Sequence, residues 1–346
     1  MRFVTGIGRT ETVQQIGEVA RAAEEAGFWG ITCVDQPHLS RDVYVMLAKV
    51  AESTSRIKLG HGVTQMGTVH PVVIANATAS IDELSGGRAF VGLGTGGNAL
   101  LTMGQKPRPL AALRETVAFL RDFMAGREAT YAGATMHSEW ITRPVPIYIA
   151  STGPKSCVVA GELGDGVISP GVDPTVIEWR RALIDRGAAA RGVEPGEVDL
   201  WVRTLIYVCD RKEDAFREVA SYTATQARDM YLSVFTRQTP ERDELVAAIE
   251  ARYPGLVDEL RLVYENFNHY HHERTDASHN QYVTPRMVDF FNLTGPADEI
   301  RARIAELEAL GIRTLSTVQY TLIDKVEMLR IIGETIVPEF TGAPAS

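Results

Sequence analysis

Ile57-Lys58-Leu59-Gly60-His61-Gly62-Val63-Thr64, then His70-Pro71, then Leu84-Ser85-Gly86-Gly87-Arg88-Ala89-Phe90-Val91-Gly92-Leu93-Gly94-Thr95-Gly96-Gly97 is the stretch that decides the fold. It reads as a strand from Ile57 to Val63, a helix opened by His70-Pro71 and closed by Gly86-Gly87, and a second strand from Arg88 to Leu93. Proline suits the first helical turn, where its missing N–H has no partner to lose. Two apolar strands flanking one helix form a βαβ unit, and such units build a parallel sheet.

The same rhythm runs outward in both directions. Upstream lie a strand Phe3–Ile7, a helix from Thr12 to Ala26, a strand Gly30–Val34 and a helix Tyr44–Ser53. Ile16, Val19, Ala20 and Ala23 share one face of the first helix, and Gly27 stops it. Downstream come a helix Leu110–Met124, a polar excursion over 126–144 that suits a hairpin, and strands Ile147–Ala150, Gly166–Ser169, Leu200–Cys209 and Thr314–Val318. A last helix is expected from Asp324 to Ile336. Eight strands with helices between them favour a closed (β/α)8 TIM barrel over a doubly wound sheet, which usually stops at five or six.

The chain has 346 residues, which such a barrel can hold as one domain over 1–346. About a hundred residues between strands seven and eight, Arg211 to Arg313, break the rhythm. Helices are expected there over Lys212–Val234 and Thr239–Tyr264. Long excursions after a barrel strand sit at the carboxyl face, so residues from about 220 to 290 are expected to form a substrate-side lid.

Bulk properties exclude several classes. The composition, 45% apolar and 23% charged, is that of an ordinary globular protein. A net charge of −9 with no Lys/Arg cluster speaks against nucleic acid as a partner. Cys33, Cys157 and Cys209 lie far apart, which argues against a disulfide framework or a zinc knuckle and for a reducing compartment. No run approaches the ~20 apolar residues of a membrane span, and the amino terminus lacks a signal-peptide core, so a cytoplasmic location away from membranes is expected. His269, His271 and His272 have no matching carboxylate or cysteine spacing and read as a solvated run, so no metal site is expected.

Barrel enzymes work at the carboxyl ends of their strands. The segments there include Gly8-Arg9, Asp35-Gln36-Pro37-His38, Thr64-Gln65-Met66, Gly94-Thr95-Gly96-Gly97 and Ser151-Thr152-Gly153-Pro154-Lys155. The Ser151–Lys155 turn offers hydroxyls, backbone N–H groups and the positive end of a helix, a combination that holds phosphate. A capped helix with a solvated lysine reads equally well from the same residues. Asp35 and His38 are the best titratable pair at a strand end, although a loop cap with a neighbouring histidine has the same pattern.

Taken together, several segments resemble the bacterial luciferase-like superfamily, and within it the deazaflavin-dependent, methylenetetrahydromethanopterin reductase-like branch. The segments are Asp35 to Tyr44, Ile57 to Thr64 with His70-Pro71, Leu84 to Gly96, Ala150 to Lys155 with Ala160 to Ile168, and Val283 to Val288 with Thr294-Gly295-Pro296. The resemblance implies an oxidoreductase that moves a hydride between a reduced 8-hydroxy-5-deazaflavin coenzyme and a small organic substrate, with a homodimer as the usual assembly. An FMN-dependent monooxygenase of the same superfamily, or a non-catalytic flavin-binding relative, would share most of these residues. It also implies a non-prolyl cis peptide at Gly62-Val63 that backs the ring, a phosphate turn at Ser151, Thr152, Gly153, Pro154 and Lys155, and Asp35 beside the ring. Gln36, Thr64, Gly94, Thr95 and Ser169 complete the implied cofactor contacts, with Asp35 and His38 as catalytic groups. Two places depart from the sugar-phosphate dehydrogenase branch: Gln36 stands where that branch has histidine, and Gly97 where it has glutamate. Sugar oxidation is therefore not expected.

Overall fold

A computed structural model describes residues 1–8, 10–268, 271, 274–318 and 324–341. The chain runs through β1 (Arg2–Ile7), α1 (Val13–Glu25), β2 (Gly30–Cys33), α2 (Val43–Ser53), β3 (Lys58–His61), β4 (Thr64–Gln65), α3 (Pro71–Leu84) and β5 (Ala89–Gly94). Next come α4 (Gly97–Leu101), α5 (Leu110–Met124), an antiparallel hairpin of β6 (Ala129–Tyr131) and β7 (Ala134–Met136), then β8 (Ile147–Ala150), α6 (Pro154–Leu163), β9 (Gly166–Pro170), α7 (Pro174–Ala189) and β10 (Asp199–Thr204). Parallel pairings link β3, β2, β1, β13 (Thr314–Val318), β10, β9, β8 and β5 in that order, and β5 pairs back onto β3. The barrel is therefore closed, as the sequence rhythm requires.

Local chemistry explains the boundaries. Thr12 caps α1 in a reciprocal box with Gln15: the Gln15 N–H donates to Thr12 Oγ1 at 3.2 Å, and the Thr12 N–H to Gln15 Oε1 at 2.9 Å. Asp42 caps α2 by accepting from the N–H groups of Tyr44 and Val45. Inside the barrel, Val4, Phe90, Tyr148, Ile168 and Trp201 pack as a layer, with Tyr148 and Trp201 ring centroids 4.1 Å apart. A larger apolar shell lies between strands and helices.

One carboxylate ties that shell together. Glu24 at the end of α1 accepts from the N–H groups of Ser55, Arg56 and Ile57 at 3.0, 2.6 and 2.8 Å, fixing the entry to β3. Burial raises its carboxyl, but these donors outweigh burial and hold it at about 2. A depressed carboxyl stabilises the fold above its ordinary range and loses that contribution as pH falls toward the folded value. Glu24→Gln is expected to lower the melting temperature by roughly 2 °C at pH 7, discounted for exposure. Thermal melts should show the difference shrinking between about pH 4.5 and pH 2.

Three elements differ from the sequence expectation. Strand three, read as continuous to Val63, is interrupted: the Gly62–Val63 peptide is cis, as the resemblance implied, and pairing resumes only at β4, where Thr64 faces Leu93. Strand seven leaves the barrel after Thr204. β11 (Ile206–Val208) pairs instead with β12 (Leu293–Gly295), outside the barrel. Tertiary hydrogen bonds cause this, since Thr204 Oγ1 donates to the Phe291 carbonyl at 3.0 Å and the Ile206 N–H donates to Thr317 Oγ1 at 3.0 Å. The helix expected over Thr239–Tyr264 is two, α9 (Pro240–Arg252) and α10 (Leu256–Glu265). Pro254 cannot donate within a helix, and Gly255 turns left-handed at φ 79°.

The excursion before strand eight begins with α8 (Lys212–Met230), which runs into a π-helical turn at Tyr231–Phe235. It ends with α11 (Pro285–Phe291) and α12 (Ala297–Ala309). After β13, α13 (Lys325–Thr335) and α14 (Val337–Thr341) close the chain. Arg9, His269 and His272 lie outside the described residues. No helix among the described residues is long and apolar enough to cross a membrane.

Candidate active site

A cavity of about 310 Å³ opens at the carboxyl ends of the barrel strands. Its walls come from the ends of β2, β4, β5, β8 and β10, and its roof from one face of α8.

Asp35 follows β2 and is 6% exposed. Thr64 Oγ1 donates to its Oδ2 at 2.6 Å, which fixes the carboxyl at the cavity edge. Burial raises its proton affinity most, Thr64 partly offsets that, and the nearby Asp42 charge raises it further. A carboxyl held so can keep a proton at higher pH than an ordinary aspartate and release it beside a ligand.

The wall next to it is built on glycines. A Cβ on Gly92 would lie 2.0 Å from the His61 carbonyl oxygen and 3.1 Å from Val63 Cγ1, and one on Gly94 would lie 3.1 Å from Val63 Cγ2. The Val63 side chain thus rests over two glycines of the neighbouring strand. Gly62 is equally constrained, since its Cβ would meet Thr32 Cβ at 2.5 Å. Behind this wall, burial lowers the His61 imidazole to about 4, so it stays neutral. It meets the Tyr44 ring edge-on at 5.6 Å.

Across the mouth, Arg203 of β10 donates from Nη1 to the Gly62 carbonyl at 3.2 Å. It is the one cation lining the cavity among the described residues. From above, α8 presents Tyr222, Thr225, Gln226 and Asp229, spaced to fall on one helical face.

The Ser151 turn occupies the third side. No side chain caps the first turn of α6 at Gly153. Ser151 Oγ donates to Ser156 Oγ at 2.8 Å, and Ser169 Oγ donates to the Ser151 carbonyl at 2.6 Å. Gly153 packs under the insertion, because a Cβ there would lie 2.8 Å from the Ser233 carbonyl oxygen.

The structure brings together Asp35, Gln36, Gly62, Val63, Thr64, Gly94, Thr95, Ser151 and Thr152 around one cavity. It does not bring His38 there. The Pro37-His38 turn leaves that imidazole exposed, outside the lining. Gly153, Pro154 and Ser169 support the turn from behind, and Lys155 is exposed on the α6 surface. Sequence reasoning missed Arg203, Ser156 and the α8 face, and placed Gln65 at a strand end without giving it a role. Gln65 Oε1 accepts from the Thr68 N–H at 3.1 Å and so shapes the loop after β4. Among the described residues no three His, Cys, Asp or Glu side chains group as metal ligands would.

A closed parallel barrel with an open polar cavity at its carboxyl end, bordered by an uncapped helix amino terminus, defines the class of (β/α)8-barrel small-molecule sites. The family model for luciferase-like monooxygenases matches residues 2–314, and the chain belongs to that family, in its methylenetetrahydromethanopterin reductase-like branch. The 5,10-methylenetetrahydromethanopterin reductase of Methanolobus tindarius is 30% identical over 344 residues, 95% of this chain and 97% of that one. That of Archaeoglobus fulgidus is 29% identical over 326 residues, 92% and 93% of the two chains. Among solved structures, the coenzyme F420 dependent tetrahydromethanopterin reductase from Methanopyrus kandleri superposes with a TM-score of 0.75 at 22% identity, covering 98% of this chain and 99% of that one.

Proposed function

We propose that this chain is an oxidoreductase that transfers a hydride between a reduced deazaflavin coenzyme and a small organic substrate held beneath α8. The observation that carries the reading is the cavity itself, with a glycine-built wall on one side and the uncapped α6 terminus with its serines on another. The branch relatives, named as reductases of a methylene-pterin, support the same reaction type.

The residues present fit a planar ring with a phosphate-bearing tail. Gly62 and Gly94 line the cavity, and Gly92 and Gly94 let Val63 seat against their strand, since a Cβ on either would lie 3.1 Å from a Val63 methyl. Ser151, Thr152 and Ser156 and the first turn of α6 would bind phosphate oxygens. When bound, the coenzyme supplies the hydride chemistry. The protein's share is placement and proton control. Thr64 orients Asp35, and burial raises the proton affinity of its carboxyl at the cavity edge. The α8 face lies over one side of the cavity and adds polar groups to its lining. Tyr222, Thr225, Gln226 and Asp229 would contact the substrate. The remainder of the 220–290 segment buttresses α8 and so acts as part of the substrate-side cover.

The test is anaerobic turnover: reduced deazaflavin coenzyme, purified chain and a methylene-tetrahydropterin acceptor, followed by return of the oxidised coenzyme's absorbance. Substrate-dependent oxidation without oxygen is expected. Oxygen consumption with reduced FMN in its place would instead mark a monooxygenase. Ser151→Ala combined with Ser156→Ala is expected to raise the coenzyme Kd by about tenfold or more, from lost charge-assisted bonds. Lys155→Ala, at an exposed site, should change it only about two- to threefold and mainly at low salt. Titrations at two ionic strengths would check both.

A further inference from the structure

We infer that Arg203 is a redox-tuning residue, the cation that makes this cavity bind the reduced form of its coenzyme more tightly than the oxidised form. The inference rests on the deazaflavin reading of the cavity.

Side chains alternate along a strand, so Arg203 shares a face with Trp201, two residues before it. Trp201 belongs to the packed layer inside the barrel. Arg203 therefore stands in the next layer, at the mouth. The same alternation places Gly6 above Val4, Gly92 and Gly94 above Phe90, and Ala150 above Tyr148 in that upper region. These residues are too small to fill the mouth. The guanidinium extends into it from β10 and reaches the Gly62 carbonyl on strand three, four strand positions away around the closed barrel. It lies at the floor of the cavity, against the wall that carries Val63, and no other described lining residue is cationic.

Arginine remains charged in this setting. Adding a hydride brings two electrons and one proton to a flavin-type ring. The reduced ring thus carries one more negative charge than the oxidised ring until a second proton joins it. That charge gathers on the electron-poor pyrimidinedione edge. A fixed cation in a partly dry cavity lowers the free energy of the more negative form relative to the other. Of the two lining carboxylates, Asp229 accepts from Arg228 Nη1 at 2.5 Å and burial raises the proton affinity of Asp35, so removing Arg203 removes the positive charge of the lining itself.

The experiment is a set of anaerobic titrations of the full chain, and of Arg203→Lys and Arg203→Gln, with oxidised and with chemically reduced deazaflavin coenzyme. Circular dichroism checks the fold of each. In Arg203→Gln the reduced form is expected to weaken at least about tenfold more than the oxidised form, with Arg203→Lys in between. Each tenfold change in that ratio lowers the midpoint potential of the bound coenzyme by about 30 mV for two electrons. Equal weakening of both forms, or no change in either, would overturn the proposal and leave Arg203 as a structural floor. If Arg203→Gln fails to fold, the ratio in the neutral variant Arg203→Met decides: a ratio equal to that of the unaltered chain overturns it. Failure of the underlying function reading looks different, since the unaltered chain would then bind neither form, and the tuning role would fall with it.

Discussion

Asp35→Asn is expected to reduce kcat by about two to three orders of magnitude, within the range general acid–base groups contribute, while the coenzyme Kd changes by less than about threefold. The asymmetry follows from where the carboxyl sits. Asparagine keeps the shape and can still accept from Thr64, but it has no proton to give. The pH profile adds a second readout. Burial raises the Asp35 carboxyl, so the protonated, donating form persists to higher pH and the rate should fall as pH rises through that value. The asparagine variant should lack this limb.

Stability should move the other way. A group whose folded value is raised contributes fully below its unfolded value and loses that contribution as pH rises through the folded one. Near neutral pH the folded chain favours the ionised Asp35 carboxylate less than the unfolded form, which leaves that group in water. Asp35→Asn is therefore expected to raise the melting temperature near pH 7 and to match the unaltered chain at about pH 3, below the ordinary aspartate range. A variant that is inactive yet more stable would identify a carboxyl kept for function at a cost in stability. Loss of both activity and stability would assign Asp35 a structural role instead.

Gly92→Ala is expected to abolish coenzyme binding, with Kd raised by about a hundredfold or more, and to destabilise the fold by roughly 3 kcal/mol, near the upper end of overpacking costs. The added methyl's nearest neighbour is backbone rather than the far end of a flexible side chain. The methyl would lie 2.0 Å from the His61 carbonyl oxygen and would push Val63 into the cavity. Gly86→Ala is a useful contrast. No heavy atom lies within 4 Å of the new Cβ there, and only the positive φ of 67° opposes it. That variant should lose about 1 kcal/mol and keep its coenzyme affinity. Denaturant unfolding and an absorbance titration on the two variants would separate a wall effect from a general loss of stability.

The barrel was legible because its signal is repeated. Each βαβ unit carries its own caps and stops: Thr12 with Gln15, Asp42, Pro71, Gly86-Gly87. Errors in one unit do not alter the count. Breaks were legible only where local chemistry marks them. Pro254-Gly255 is such a mark within 239–264, and reading through it overextended one helix. No such mark divides Leu200 to Cys209, an unbroken run of strand-forming residues. There the break is imposed from outside by Phe291 and Thr317.

The site divided along the same line. Asp35, Thr64 and Ser151 are found from sequence because they follow strands directly, and strand ends converge. His38 also follows a strand, but three residues suffice for a turn to carry it into solvent. Arg203 is invisible in Trp201-Val202-Arg203, because its reach depends on glycines in other strands. The α8 face did leave a trace. Tyr222, Thr225, Gln226 and Asp229 form a polar stripe at helical spacing, which normally marks a solvated face. Here every residue of α8 from Val219 to Arg228 is buried, so its polar side chains lie inside the protein. A helix polar on a face that packing buries is a pointer to a ligand, and the sequence alone does not say which face packing will bury.

The central claim is that this cavity is built for a deazaflavin. Titrating the purified full chain with the oxidised deazaflavin coenzyme and, separately, with FMN, each followed by absorbance, tests it most directly. The account predicts saturation by the deazaflavin at one equivalent per chain, with FMN binding at least about tenfold more weakly. Tight, stoichiometric binding of FMN with no binding of the deazaflavin would contradict it.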